Sequence, residues 1–501
     1  MATNVLVIQA DQFRADCLGI AGNPDVRTPH LDRLAGDGVH YRDAYAPFPV
    51  CTPSRYSLLS GLHVRQHGGW TNHCTLAPGI PTFPRALREA GYRTAAVGKM
   101  HFTPTYLDVG YDEMALAEQH GPGRYDDDYH RELAAAGLAP VTDLLDQDHE
   151  LRVRAPQSYW DSYGTGRSNL PEQWHSSTWI GERARRALAD WSDDGSHLLH
   201  VSFIKPHHPF DPPAGWDDRY DPTELTPLPG WTDTIPAADQ RHRREYFDFE
   251  PLDLPRLRRV MAHYYATITH LDHEVGRMLD LLRERGLYDD TLIFFTADHG
   301  EYLGFHHLLL KDGPMYDPLV KVPLLVKFPG RQRAGETSDQ LVSLIDLAPT
   351  VLSTCGVTPA APLPGKDLTD PAAGHDCVFA EDRRRGVAGM ARTDAYKLLW
   401  SDVAGEALFD LGADPHELTN VADDPAHGDT LRRMREAAAR WALHDATPPT
   451  YLDPDAPRRP SVTGGGADRR EQFADAVAEH LDGSCTPAAH PPMNTVLPSG
   501  H

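Results

Sequence analysis

Short, mostly apolar runs alternate along this chain with stretches whose apolar residues recur at helical spacing. Residues 5–8, 94–97, 198–204, 291–296 and 322–328 are runs of the first kind, rich in β-branched and aromatic side chains, and they predict strands buried in a sheet core. Residues 28–35 read as a short helix with Thr28 as N-cap and Pro29 at its first position. Residues 83–90 read as another, ended by Gly91, and residues 179–191 as a third. The longest helical pattern spans 260–287, where Met261, Tyr264, Ile268, Leu271, Val275 and Leu282 share one broad stripe that belongs to a core. From residue 376 the pattern changes to short strands at 378–381, 386–392, 396–400 and 407–410, then a helix near 425–443, which predicts a small antiparallel sheet with a helix.

The expected organisation is a large domain over 1–375, a small α+β domain over 376–446 and a tail over 447–501. The tail holds one helix-like patch at 467–481, and a neighbouring subunit of a homo-oligomer is one place for it to lie. Residues 105–195 lack sustained periodicity and read mostly as an insertion and loops that shape a pocket, with Asp126, Asp127 and Asp128 as a solvated face.

With 501 residues and 40% hydrophobic content the chain can bury a substantial core. Its formal net charge of -24 argues against nucleic acid or an anionic membrane surface as partner, so an anionic substrate needs a local cationic pocket. Six cysteines are scattered without a paired motif and read as reduced thiols. Met1 to Asn4 lead directly into the first strand without the features of a secretory signal, and no apolar run reaches the length of about 18 residues needed for a membrane span. A cytoplasmic location is the expectation.

Chemistry-bearing residues stand at the carboxyl ends of the predicted strands, where open α/β sheets gather ligands. Asp11-Gln12 follow the first strand, Lys99 and His101 the second, Lys205-Pro206-His207-His208-Pro209-Phe210 the third, and Asp298-His299-Gly300 the fourth. Lys99 and His101, two apart in extended chain, face the same way and can reach one anion, and an adjacent Asp and His beside Gly300 suit a divalent cation. Read singly, each has a plainer alternative: a capping Asp, a solvated Lys and His, an incidental Asp-His pair. Cys51-Thr52-Pro53-Ser54-Arg55 adds a thiol expected just before a helix start, because Pro53 suits a first turn. That position lowers a thiol pKa and also holds phosphate or sulfate, with Arg55 as a planar cation one turn on; the plain alternative is a buried Cys and a surface Arg.

Cys51-x-Pro53-x-Arg55 followed by Leu58-Leu59-x-Gly61 resembles the signature of the formylglycine-dependent sulfatases of the alkaline phosphatase superfamily, and the other segments recur in that family's order over about 350 residues. The resemblance implies a large, mixed, mostly parallel sheet flanked by helices, with a smaller C-terminal α+β domain. It implies oxidation of Cys51 to formylglycine by a formylglycine-generating enzyme, and hydrolysis of a small-molecule sulfate ester. It assigns a divalent ion, Ca²⁺ with Mn²⁺ or Mg²⁺ as alternatives, to Asp11, Gln12, Cys51, Asp298 and His299. Catalytic roles fall to Cys51, Arg55, Lys99, His101, His207, Asp298 and Lys311: Lys99 and Lys311 on the sulfate, His207 at the leaving-group oxygen, and His101 near the formylglycine hydroxyls. Asn72 is carried over as a weaker substrate contact. Gln12, Asp298-His299 and the 205–210 segment also resemble the phosphonate monoester hydrolase and choline sulfatase branches. The phosphonate hydrolases carry uncharged hydroxyl residues where this chain has Lys99 and His101. Two readings stand beside a sulfatase: a phosphonate monoester or phosphodiester hydrolase on the same fold, and a silent binding protein that keeps Cys51 unmodified.

Overall fold

The computed structural model describes residues 3–119, 127–138, 157–192, 196–236, 239–240, 242, 247–248, 251–311, 313–384 and 386–446. The predicted tail over 447–501 lies outside these residues.

Nine strands form the main sheet: β1 (Asn4–Asp11), β2 (Val39–Tyr45), β3 (Arg93–Gly98), β4 (Glu113–Leu116), β5 (His197–Pro206), β6 (Thr291–Ala297), β7 (Lys321–Val322), β8 (Leu324–Lys327) and β9 (Glu336–Ser343). Their order is β4-β3-β5-β1-β6-β8-β2-β7, with β9 also pairing with β2. Every residue of β1 is buried, and β1 runs parallel to β5 on one side and to β6 on the other, Val7 standing opposite both His200 and Phe294. β8 is antiparallel to β6 and to β2, which makes the sheet mixed but mostly parallel where it carries the site. The predicted strand at 322–328 divides into β7 and β8 at Pro323, which has no N–H to give a ladder.

Helices cover the sheet. The longest, Leu254–Glu284, starts six residues before its apolar stripe because the Asp253 side chain accepts from Arg256 N–H at 2.9 Å and caps it. Asp272 on this helix accepts from the Leu31 and His30 amides at 2.8 and 3.2 Å and so satisfies the first turn of α1 (Pro29–Gly36). Thr28 occupies the N-cap position of α1 as predicted, but makes no side-chain cap: its hydroxyl accepts from Gly19 N–H at 2.9 Å.

The second sheet is antiparallel, in the order β10 (Val378–Asp382), β11 (Ala388–Arg392), β12 (Tyr396–Ser401) and β13 (Gly405–Asp410), followed by the helix Gly428–Arg440. Arg65, on the short helix Val64–His67, ties that helix to the second sheet by pairing with Glu381 at 3.0 Å beneath the Trp441 ring. Asp127 departs from the reading of 126–128 as a solvated face: it is fully buried, and its side chain accepts from His130 N–H at the start of the helix Asp128–Ala135. Among the described residues no helix is long and apolar enough to cross a membrane, and the five cysteines are free thiols.

The site depends on the order β3-β5-β1-β6, which sets the carboxyl ends of four neighbouring strands side by side. At the end of β3 the chain turns through Gly98, at φ +95°, where a Cβ would stand 2.0 Å from the Ser202 carbonyl oxygen. Only glycine fits there, and the turn lets Lys99 N–H donate to that carbonyl at 2.8 Å.

Candidate active site

Cys51 is the first residue of a ten-residue buried helix, α2 (Cys51–Ser60), rather than the residue before it; Val50 is the N-cap and Pro53 falls third. The helix start is pinned by Asn72, whose Oδ1 accepts from Thr52 N–H at 3.0 Å, and by Ser54, whose hydroxyl donates to the Asp298 carbonyl at 2.6 Å. Cys51 Sγ lies 3.3 Å from Lys311 Nζ, 3.4 Å from His299 Nε2 and 3.7 Å from Asp11 Oδ1. Burial and Asp11 push the thiol up, yet Lys311, Lys99 and His299 outweigh them and bring it down to about 6.

Asp11, Cys51, Asp298 and His299 each present a ligand atom within 4.8 Å of all the others. His299 Nδ1 lies 2.9 Å from the Gly300 carbonyl oxygen, which makes it the protonated nitrogen and turns Nε2 toward the cluster as an acceptor. Gln12 contributes an amide whose Nε2 donates to buried Glu301 and whose Oε1 is buried without a hydrogen-bond partner among the described residues. An orphaned amide oxygen beside two carboxylates and one imidazole nitrogen fits a hard divalent cation. Burial and the neighbouring Asp11 raise Asp298 to about 6. Burial raises Asp11 as well, but Lys99, His207, Lys311 and Arg55 together hold it well below the usual carboxylate range.

The predicted cations divide by where they point. Arg55 is turned toward the carboxylates: Nε donates to Asp298 Oδ2 at 2.8 Å, one terminal nitrogen to Asp11 Oδ2 at 3.1 Å, and the other to Ser202 Oγ at 2.7 Å and to the Lys99 carbonyl. Lys99, fully buried, pairs with Asp11 Oδ2 at 2.6 Å. Lys311 is the cation that reaches the nucleophile, and its Nζ is also 2.9 Å from His207 Nε2. His101 lies among Lys99, Arg55, Asp11 and Lys311, and burial, with Lys99 and Arg55, lowers its pKa well below the usual value. Lys205 is tied to Asp211 and the Pro209 carbonyl, away from the cluster.

Two side chains in contact with the predicted site residues were not anticipated. Gln119 joins the groups, accepting from Lys99 Nζ at 2.8 Å through Oε1 while its Nε2 lies 2.8 Å from His207 Nδ1. Glu118, beside it, accepts from the Met100 and His101 amides at 3.0 and 2.9 Å. Both follow β4, at the strand end where the other site residues were sought. A strand of four residues inside an aperiodic stretch gives too little pattern to announce that end.

The sulfatase family model matches residues 3–357, and a model described as the C-terminal part of N-sulphoglucosamine sulphohydrolase matches residues 305–442. An arylsulfatase of Clostridium perfringens is 29% identical over 472 residues, covering 87% of this chain and 93% of that protein. A choline-sulfatase of Rhizobium meliloti is 29% identical over 475 residues, covering 88% of this chain and 87% of the relative. Among solved structures, a phosphonate monoester hydrolase of Agrobacterium radiobacter superposes with a TM-score of 0.75 at 24% identity, over 88% of this chain and 96% of that one, a likeness of fold.

Proposed function

This chain belongs to the sulfatase family, and from that premise we propose that it hydrolyses a sulfate monoester with a formylglycine formed from Cys51 and a divalent cation held by Asp11, Gln12, Asp298 and His299. The observation that carries the reading is the meeting of Cys51 Sγ with His299 Nε2, Lys311 Nζ and Asp11 Oδ1 at the buried start of α2.

Conversion of Cys51 by a formylglycine-generating enzyme supplies a hydroxyl nucleophile in place of the thiol, and the cation, Ca²⁺ with Mn²⁺ or Mg²⁺ as alternatives, supplies Lewis-acid polarisation of the sulfate oxygens. The protein's own groups do the rest. Lys311 adds positive charge where negative charge collects on the transferring group. We assign protonation of the leaving-group oxygen to His207, whose Nε2 lies 2.9 Å from Lys311 Nζ. Asp298 serves as the base for the nucleophile, and His101 assists regeneration of the aldehyde. Arg55 and Lys99 act one layer back, holding the two carboxylates. Asn72 acts with them by pinning the helix start.

The second reading, phosphonate monoester hydrolysis on the same fold, is favoured by the likeness of Gln12, Asp298-His299 and the 205–210 segment to that branch, Gln12 being shared with the choline sulfatases. The experiment for the first reading uses protein made together with a formylglycine-generating enzyme. Mass spectrometry of the peptide spanning 51–55 is expected to show the aldehyde, and the same protein is expected to release sulfate from an aryl sulfate. Fully retained Cys51 in that protein, with no sulfate released, refutes it and leaves the silent binding protein.

A further inference from the structure

We propose that Glu118 is a positioning residue for this reaction, gripping the main chain of His101 so that the imidazole is delivered to the nucleophile. The inference rests on the sulfatase reading for its activity measurements.

Glu118 is buried, and its carboxylate is directed at backbone rather than at a substrate. Oε1 accepts from the Met100 and His101 amides at 3.0 and 2.9 Å, and Oε2 lies 3.1 Å from the same His101 amide. His101 stands at φ +59°, in the left-handed region that a side chain with a Cβ rarely adopts. Such a conformation persists where its surroundings over-determine it. Here they act from both sides of the residue: Glu118 holds the His101 N–H, and the Thr52 hydroxyl donates to the His101 carbonyl at 2.9 Å. Thr52 follows Cys51 directly, and its own N–H is held by Asn72. A continuous line of hydrogen bonds therefore runs from Glu118 through the His101 peptide to the residue beside the nucleophile.

Glu118 is itself anchored, its N–H donating to Asp127 Oδ2 at 2.6 Å, while Asp127 caps the helix Asp128–Ala135. Removing a carboxylate from water is costly, and burial pushes the Glu118 carboxyl up to about 7 against the pull of the His101 amide. The demanding element is His101, whose backbone has to be twisted to bring its ring among Lys99, Arg55 and Asp11.

The test is a double-mutant cycle on formylglycine-matured protein with 4-nitrophenyl sulfate. Glu118→Gln keeps the shape but sets an NH₂ group against an amide N–H, and it is expected to lower kcat about tenfold or more with KM within about twofold. In a His101→Ala background the same change is expected to alter kcat by less than about twofold, because a residue that acts through His101 has nothing left to position. Equal losses in the two backgrounds, or an unchanged kcat in the wild-type background, overturn the proposal. Thr52→Val, which releases the other side of His101, must show the same coupling, and it takes the place of Glu118→Gln if that variant does not fold. A crystal structure of the Glu118→Gln protein reads the geometry without turnover: His101 is expected to leave the left-handed region, and an unmoved His101 refutes the grip. If the matured wild type releases no sulfate, the sulfatase reading fails while the crystallographic arm still decides this one.

Discussion

Arg55 lies alongside Asp298 beneath the site, its Nε donating to Oδ2 at 2.8 Å with both side chains out of contact with water. The same guanidinium reaches Asp11 at 3.1 Å, so one planar cation braces the two carboxylates of the candidate metal cluster. A motif that reads as an anion hook in sequence thus serves in the fold as the counter-ion of the ligands, holding two like charges close together.

Arg55→Lys tests that role. A single ammonium cannot span Asp298, Asp11, Ser202 and the Lys99 carbonyl, and each buried acceptor left unmet costs about 1–3 kcal/mol. The expected outcome is a lowered denaturant midpoint together with loss of bound metal. A variant with wild-type stability and metal content would return Arg55 to the substrate.

Metal removal should separate binding from folding. Exhaustive chelation is expected to abolish aryl sulfate turnover and to lower Tm, because Asp11 and Asp298 then face each other with less positive charge between them. Ca²⁺, Mg²⁺ and Mn²⁺ are added back singly, and the one giving full recovery identifies the ion. Undiminished turnover in protein shown metal-free by elemental analysis would contradict the site.

The sheet was legible because β1, β5 and β6 are buried throughout and β3 over most of its length, and are therefore written as mostly apolar runs. Site residues at their ends followed from the rule that ligands collect there. β2 and β9 escaped notice because Arg42, Asp43, Thr337 and Asp339 interrupt their apolar residues. The direction of a long side chain was equally out of reach. Whether Arg55 and Lys99 point at substrate or at carboxylates depends on where Asp11 and Asp298 stand after folding, and one is 44 and the other 243 residues from Arg55 in the chain.

Gln119→Leu should reveal itself through the leaving group. Lys99 keeps its partner Asp11, so most charge stays in place, but His207 loses the amide beside Nδ1 that orients it. If His207 delivers a proton, the loss in kcat is expected to be larger for phenyl sulfate than for 4-nitrophenyl sulfate, whose leaving group needs less help. Equal losses for both esters would detach Gln119 from proton delivery.

His67 gives a pH signature away from the metal cluster. Its Nδ1 accepts from Gly69 N–H at 3.1 Å and its Nε2 lies 2.9 Å from Ser57 Oγ, and burial lowers its pKa to about 3. The unfolded chain takes up a proton near the ordinary value of about 6.5 while the folded chain does not, so this contribution to stability is present above that pH and is lost as pH falls toward 3. His67→Gln is expected to remove about 1.4 kcal/mol per pH unit from the slope of unfolding free energy between pH 6 and 4. Superimposable slopes for wild type and variant would mean that His67 is protonated in the fold.

The ester preferred is the last expectation, and it turns on Lys99 and His101. Arg55, Lys99 and Lys311 set three cations against the two carboxylates Asp11 and Asp298, so with a divalent ion the site is strongly positive. A sulfate monoester and a phosphonate monoester each carry one negative charge, and net charge alone does not choose between them. Local geometry does. Lys99 pairs with Asp11 at 2.6 Å, Lys311 stands beside the nucleophile, and His101 is held by Glu118 and Thr52 in a left-handed backbone conformation. In the proposed reaction that arrangement assists regeneration of the aldehyde from a sulfated nucleophile. The expected result is a higher kcat/KM for 4-nitrophenyl sulfate than for 4-nitrophenyl phenylphosphonate on fully matured protein, with slow but measurable turnover of the phosphonate. A clear preference for the phosphonate would place the activity in the second reading and leave His101 without a role in turnover.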